Sequence, residues 1–173
     1  MVKLFTQKQH TIMEKNLKEK LHKAVNHLSH VFAGRADLTD DVISEVTDLF
    51  ELDSKEERLK AYKDFQECYE TLIFHAWDKP VIGDKAFAFF DEILSAPETT
   101  FSCASVLRLM DCPDENLLKL VKNHRQKFLS FNMVAFLRAS ITRIRITGPW
   151  PSWRPWQAKE KAILAQIEKL LQE

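Results

Sequence analysis

Trp150, Trp153 and Trp156 stand three residues apart in ITRIRITGPWPSWRPW, interleaved with Pro149, Pro151 and Pro155 and accompanied by Arg143, Arg145 and Arg154. Prolines at this density favour a polyproline II helix, whose three residues per turn would set the indoles along one edge. Guanidinium groups can stack on such rings or pair with acidic groups. The chemistry is that of a contact ridge, with indoles giving area and arginines giving charge pairing. The competing reading turns the rings inward, where large aromatics usually go, and leaves the prolines to stiffen a connection.

That stretch closes a longer one. From Asn116 to Lys159 the chain carries nine Lys/Arg and no acid. Placed on a helical wheel, Lys119 and Lys122 lie opposite a stripe containing His124, Phe128 and Phe131, with Arg125 and Lys127 flanking it. They should reach solvent or a charged neighbour. Together with Arg138 they form a candidate nucleic-acid surface, whose binding would fall steeply with salt. Neutralisation within the chain competes with this. Residues 37–115 carry seven Lys/Arg against twenty acids, residues 1–36 carry seven against two, and the formal net charge is +0. A nucleic-acid domain usually has a high pI instead.

Metal and nucleophile chemistry is sparser. His27 and His30 share a helical face, but Lys23 sits one turn before His27, a poor neighbour for a divalent ion, and HExxH is absent. His75 and Asp78 are a histidine/carboxylate pair at helical spacing. Cys103, in TTFSCAS, would lie in a first helical turn, where the dipole favours thiolate. A catalytic site assembled from His75, Asp78 and Cys103 is a third possibility, though no GxSxG elbow supports it. Three glycines are too few for a phosphate loop or dinucleotide fingerprint. Neither cofactor nor metal is expected. Three cysteines without paired spacing suit free thiols in a cytoplasmic protein. The first residues contain no apolar core of signal-peptide length, and no uncharged apolar run approaches the roughly 18 residues of a bilayer span.

The elements that must position these residues are helices. All six prolines occur from Pro80 onward, between periodic segments. Leu17, Leu21, Ala24, Leu28 and Val31 line a first helix, stopped at Gly34. This stripe suits packing within the chain or against a second copy. Thr39 opens a second helix, followed by Asp40 and Asp41 at its positive end. SKEE from Ser54 is a capping box opening a third, which runs through Leu59, Tyr62, Phe65, Tyr69 and Leu72 to Trp77. Asp84 caps a fourth, KAFAFFDEIL, and a fifth spans Ser102 to Met110. DCPDENLL, capped by Asp111 or Cys112, starts one that carries Leu117, Leu120, Val121, His124 and Phe128 onward. The last occupies about 157–172.

The expected fold is a single all-α domain over 1–173: a compact bundle of six or seven helices with a Phe-rich core and a Pro/Trp-rich connection before the last helix. The expected function is a non-enzymatic intracellular interaction or regulatory module binding another macromolecule through the Trp/Pro/Arg segment and the adjacent basic helix. A protein partner ranks first, then nucleic acid. A homodimer stays open, and a membrane surface ranks lower for want of a sustained basic amphipathic face.

Overall fold

The computed structural model describes residues 2–102, 105, 108–110, 113–130, 142 and 158–173, with side chains at residue 9 and from residue 11. The described residues form eight helices and no strand: α1 Val2–Phe32, α2 Asp40–Phe50, α3 Lys55–Asp64, α4 Gln66–Ala76, α5 Ile82–Ser95, α6 Glu115–Asn123, α7 Arg125–Phe128 and α8 Ala158–Gln172. They gather into two compact units, Met1–Phe89 and Phe90–Glu173. None of these helices is long and apolar enough to cross a membrane.

In the N-terminal unit, α1 runs for about 46 Å and packs on α4 and α2, burying Leu21, Ala24 and Leu28 completely. The middle of the stripe is therefore covered by its own chain, while Leu17 and Val31 at its ends are half-buried. Gly34 ends the helix at φ 69°, with Arg35 N–H donating to His30 O and Gly34 N–H to Val31 O. This left-handed exit closes the last carbonyls of the helix. Thr39 and Ser54 cap α2 and α3 as their sequences demand, accepting from Val42 and Glu57 N–H at 3.3 and 3.1 Å. Tyr62, Tyr69, Phe50 and Phe89 meet in one aromatic cluster, where the Tyr69 and Phe89 rings stack at 4.9 Å and 14°.

Four boundaries differ from those expected. The third helix does not run on to Trp77. It breaks at Phe65, φ −132°, into α3 and α4, although Phe65 N–H still reaches Ala61 O and Tyr69 N–H reaches Phe65 O. The helix through His124 breaks in the same way, at φ −122°, into α6 and α7. There the histidine ring is held by Asp91 of α5, through Nε2 at 2.7 Å. Asp84 does not cap α5, which begins two residues earlier at Ile82. A tight turn through Val81, φ 68°, starts it, and a Cβ on Gly83 would meet Trp77 O at 2.4 Å. The cap of α6 is Asp114 instead of Asp111 or Cys112, its Oδ1 accepting from Leu117 N–H at 2.8 Å. Pro113 thus precedes the cap.

The C-terminal unit joins α6, α7 and α8 around Leu117, Leu120, Val121, Phe128, Ile163 and Ile167, all buried. Phe101 bridges Phe90 and Phe128, with ring centroids 6.1 and 4.9 Å away.

Candidate functional site

A groove of about 880 Å³ in the N-terminal unit is bordered by α1, α2 and α3. Each helix gives it one face. Met13, Leu17 and Lys20 come from α1, Asp41, Glu45 and Asp48 from α2, and Glu57, Lys60 and Asp64 from α3. These spacings of three, four and seven residues are those of one side of a helix. Leu49, Leu52, Ala61 and Phe65 add apolar surface.

The polar rim is unevenly balanced. Lys20, Lys23 and Lys60 stand against Glu14, Asp41, Glu45, Asp48, Glu57 and Asp64, three cations to six carboxylates. Some of this charge is already matched. Lys23 Nζ lies 3.3 Å from Glu45 Oε1, and His27 Nδ1 lies 2.7 Å from Glu45 Oε2. Lys60 pairs with Asp64 and, at 2.9 Å, with Glu14, and hydrogen bonds to these two carboxylates hold its ammonium above the usual lysine value. Among the described residues, Asp41, Asp48 and Glu57 make no ion pair, and all three are exposed. Met13 is 65% exposed, a large apolar side chain at the groove's mouth with water over most of it.

The basic residues of the C-terminal unit are disposed differently. Lys119 and Lys122 face solvent. Arg125 and Lys127, which flank the stripe, reach neutral carbonyls. Arg125 Nε donates to Leu170 O at 3.0 Å, near the end of α8, and Lys127 Nζ to Ala96 O and Thr99 O at 2.6 and 2.5 Å, just past α5. Cations at helix C-termini satisfy carbonyls that have no partner within the helix and offset the dipole. Burial pushes the Lys127 ammonium below its usual value, partly opposed by the Glu98 charge. Lys127→Met is expected to lower stability by about 1–3 kcal/mol in a urea titration. Lys122→Ala should stay within about 0.5 kcal/mol of wild type. Equal losses would show that the carbonyl contacts contribute nothing.

His27, His75, Asp78 and His124 are drawn into ordinary contacts. His30 is exposed, and His27 is engaged by Glu45. The His75 ring packs against Phe32 and Phe74, with Nε2 3.3 Å from Ser29 Oγ, while Asp78 pairs with Lys79. His124 is 8% exposed and shares Asp91 with Asn123, the bonded core histidine that its place in an apolar stripe implies. Among the described residues no group of three His, Cys, Asp or Glu could hold a metal ion. Burial, then the Glu67 charge, pushes the Cys68 thiol up, the opposite of nucleophile activation.

Arg138, Arg143, Arg145, Trp150, Trp153, Arg154, Trp156, Cys103 and Cys112 lie outside the described residues. Comparison with protein-family models, curated proteins and solved structures finds no match. Sequence reasoning passed over the groove because its three walls are far apart in the chain. One trace of it was legible: Met13 continues the α1 stripe a turn before Leu17 and is largely exposed.

Proposed function

We propose that the protein is a non-enzymatic interaction module of the cytoplasm, and that it binds another protein. The observation that carries this reading is the α1/α2/α3 groove, with apolar side chains along it, an exposed methionine at its mouth and three unmatched carboxylates on its rim. Its volume is close to that of about two turns of α-helix with side chains, which fits recognition of a helix laid in a groove. The Trp/Pro/Arg segment, with Arg143, Arg145, Trp150, Trp153, Arg154 and Trp156, is a second proposed contact region of the same module. Nucleic-acid binding through Lys119, Lys122, Arg125, Lys127 and Arg138 has less support, because Arg125 and Lys127 already serve helix ends.

The test pans a displayed library of helix-forming peptides over the full chain. Enriched peptides are expected to bind Met13→Arg about tenfold more weakly, since this change removes apolar contact and narrows the mouth. Met13 is exposed, so the variant should fold as wild type does. Peptides indifferent to Met13→Arg but lost on combined alanine replacement of Arg143, Arg145 and Arg154 would assign binding to the Trp/Pro/Arg segment instead. A library that yields no binder to the wild-type chain overturns the proposal.

A further inference from the structure

We infer that the occupant of the groove is a basic amphipathic helix of a partner protein, one whose apolar stripe is flanked by lysines or arginines about two turns apart. This rests on the reading of the groove as a docking site and goes on to name the chemistry of what docks. The first argument is charge. With Lys23 matched to Glu45, and Lys60 to Glu14 and Asp64, the unmatched rim charges among the described residues are Lys20 against Asp41, Asp48 and Glu57. These give an excess of two negative charges, and Lys60, one cation between two carboxylates, leaves a third, so the rim of three cations and six carboxylates faces any occupant with a net negative charge of three.

The second argument is placement. Asp41 and Asp48 are seven residues apart on α2, hence on one face and about 10.5 Å apart along the axis. A helix lying alongside would meet both with cations at positions i and i+7. Glu57, on α3, borders the same groove and would meet a further cation. The same groove is lined by the apolar side chains of Leu17, Leu52 and Phe65, each half-buried, and of Met13. Half-buried leucine and phenylalanine on a groove surface gain most from a partner's apolar stripe, since their remaining exposed area is removed from water. Carboxylates at a rim steer association and select the partner's sign more than they add affinity. An acidic or uncharged helix of the same apolarity would lack the three pairings and meet the excess charge unshielded.

The experiment uses the full chain and two synthetic helical peptides with the same leucine stripe, one flanked by lysines and the other by glutamates. Binding is followed by fluorescence anisotropy of the labelled peptide. The lysine peptide is expected to bind at least about tenfold more tightly than the glutamate peptide at low salt, and the gap should shrink as added salt screens the rim. Combining Asp41→Asn, Asp48→Asn and Glu57→Gln should abolish most of the preference while leaving the circular dichroism unchanged. Met13→Arg should weaken the lysine peptide as well, which separates groove binding from general attraction to an acidic surface.

Equal binding of both peptides, each weakened by Met13→Arg, overturns the basic-helix inference but keeps the groove as a docking site. A lysine preference that survives the triple change also overturns the inference, because the attraction would then lie elsewhere. If neither peptide binds while the library of the preceding section yields groove-dependent binders of other charge, the inference fails and the module reading stands. Binding of a fatty-acid probe, sensitive to Met13→Arg, in place of either peptide would make the groove a small-molecule site.

Discussion

Replacing Phe89 with alanine is expected to cost about 3–5 kcal/mol of stability in a urea titration followed by circular dichroism. Phe89 is 3% exposed and touches three other rings of the N-terminal unit. It stacks on Tyr69 at 4.9 Å, approaches Phe50 at 5.3 Å and presents an edge to Tyr62 at 6.4 Å. Removal deletes a whole ring's transfer free energy and opens a cavity walled by rigid aromatics, which collapse poorly into it. Offset stacking adds about 0.5–1.5 kcal/mol beyond the area buried. Phe32→Ala is the internal comparison. Its ring is 42% exposed, resting on Phe74 and His75 with Lys79 over its face, so the loss there should be markedly smaller. Similar losses at the two positions would mean that the four-ring cluster is not the centre of this unit's stability.

Alkaline pH is expected to have the second large effect. Tyr62 and Tyr69 are both buried, and their phenols are held well above the ordinary value of 10.0. Burial is the main cause for both, and at Tyr62 the neighbouring Glu70 charge adds to it. The Tyr62 hydroxyl donates to Glu70 Oε1 at 3.0 Å and that of Tyr69 to Leu49 O, so each proton is in use in the folded chain. Above pH 10 the unfolded chain releases these two protons while the folded chain keeps them. The unfolded state then binds fewer protons, and stability must fall as pH rises. The contribution is complete below pH 10 and is lost above it at about 1.4 kcal/mol per pH unit for each phenol. Denaturation midpoints between pH 8 and 12 should show this slope in the wild type. The double change Tyr62→Phe and Tyr69→Phe should flatten it, whatever it does to stability at neutral pH. An unchanged slope would show that neither phenol is protected from ionisation by the fold.

The local features of the fold were readable because they depend on neighbours in the chain. Thr39, Ser54 and Gly34 each act on backbone groups within about one turn of themselves, so their sequences sufficed. The buried faces of α1 and α6 followed from spacing alone, since a helix turns its residues on a fixed period. Of the four boundaries that differ, one involves a residue remote in the chain. The break at His124 accompanies its bond to Asp91, 33 residues earlier. The start of α5 is set by the close approach of Gly83 to the Trp77 carbonyl.

Charge shows the same division. The basic, acidic and acid-free blocks are facts of composition, and they limited where partners of either sign could dock. What each charge does is decided in three dimensions. Arg125 and Lys127 belong by sequence to the same cationic block as Lys119 and Lys122, yet the first two serve carbonyls near the ends of α8 and α5 while the others face water. Apart from the place of Met13 on the α1 stripe, the groove has no sequence signature, because its walls come from three helices remote from one another in the chain. Periodicity, caps and composition are properties of one segment and its immediate neighbours, so the sequence by itself determined the helices and their inward faces. Which cations are used up, which carboxylates stay unmatched and where apolar surface is left open depend on distances between segments remote in the chain, and only tertiary packing set those distances.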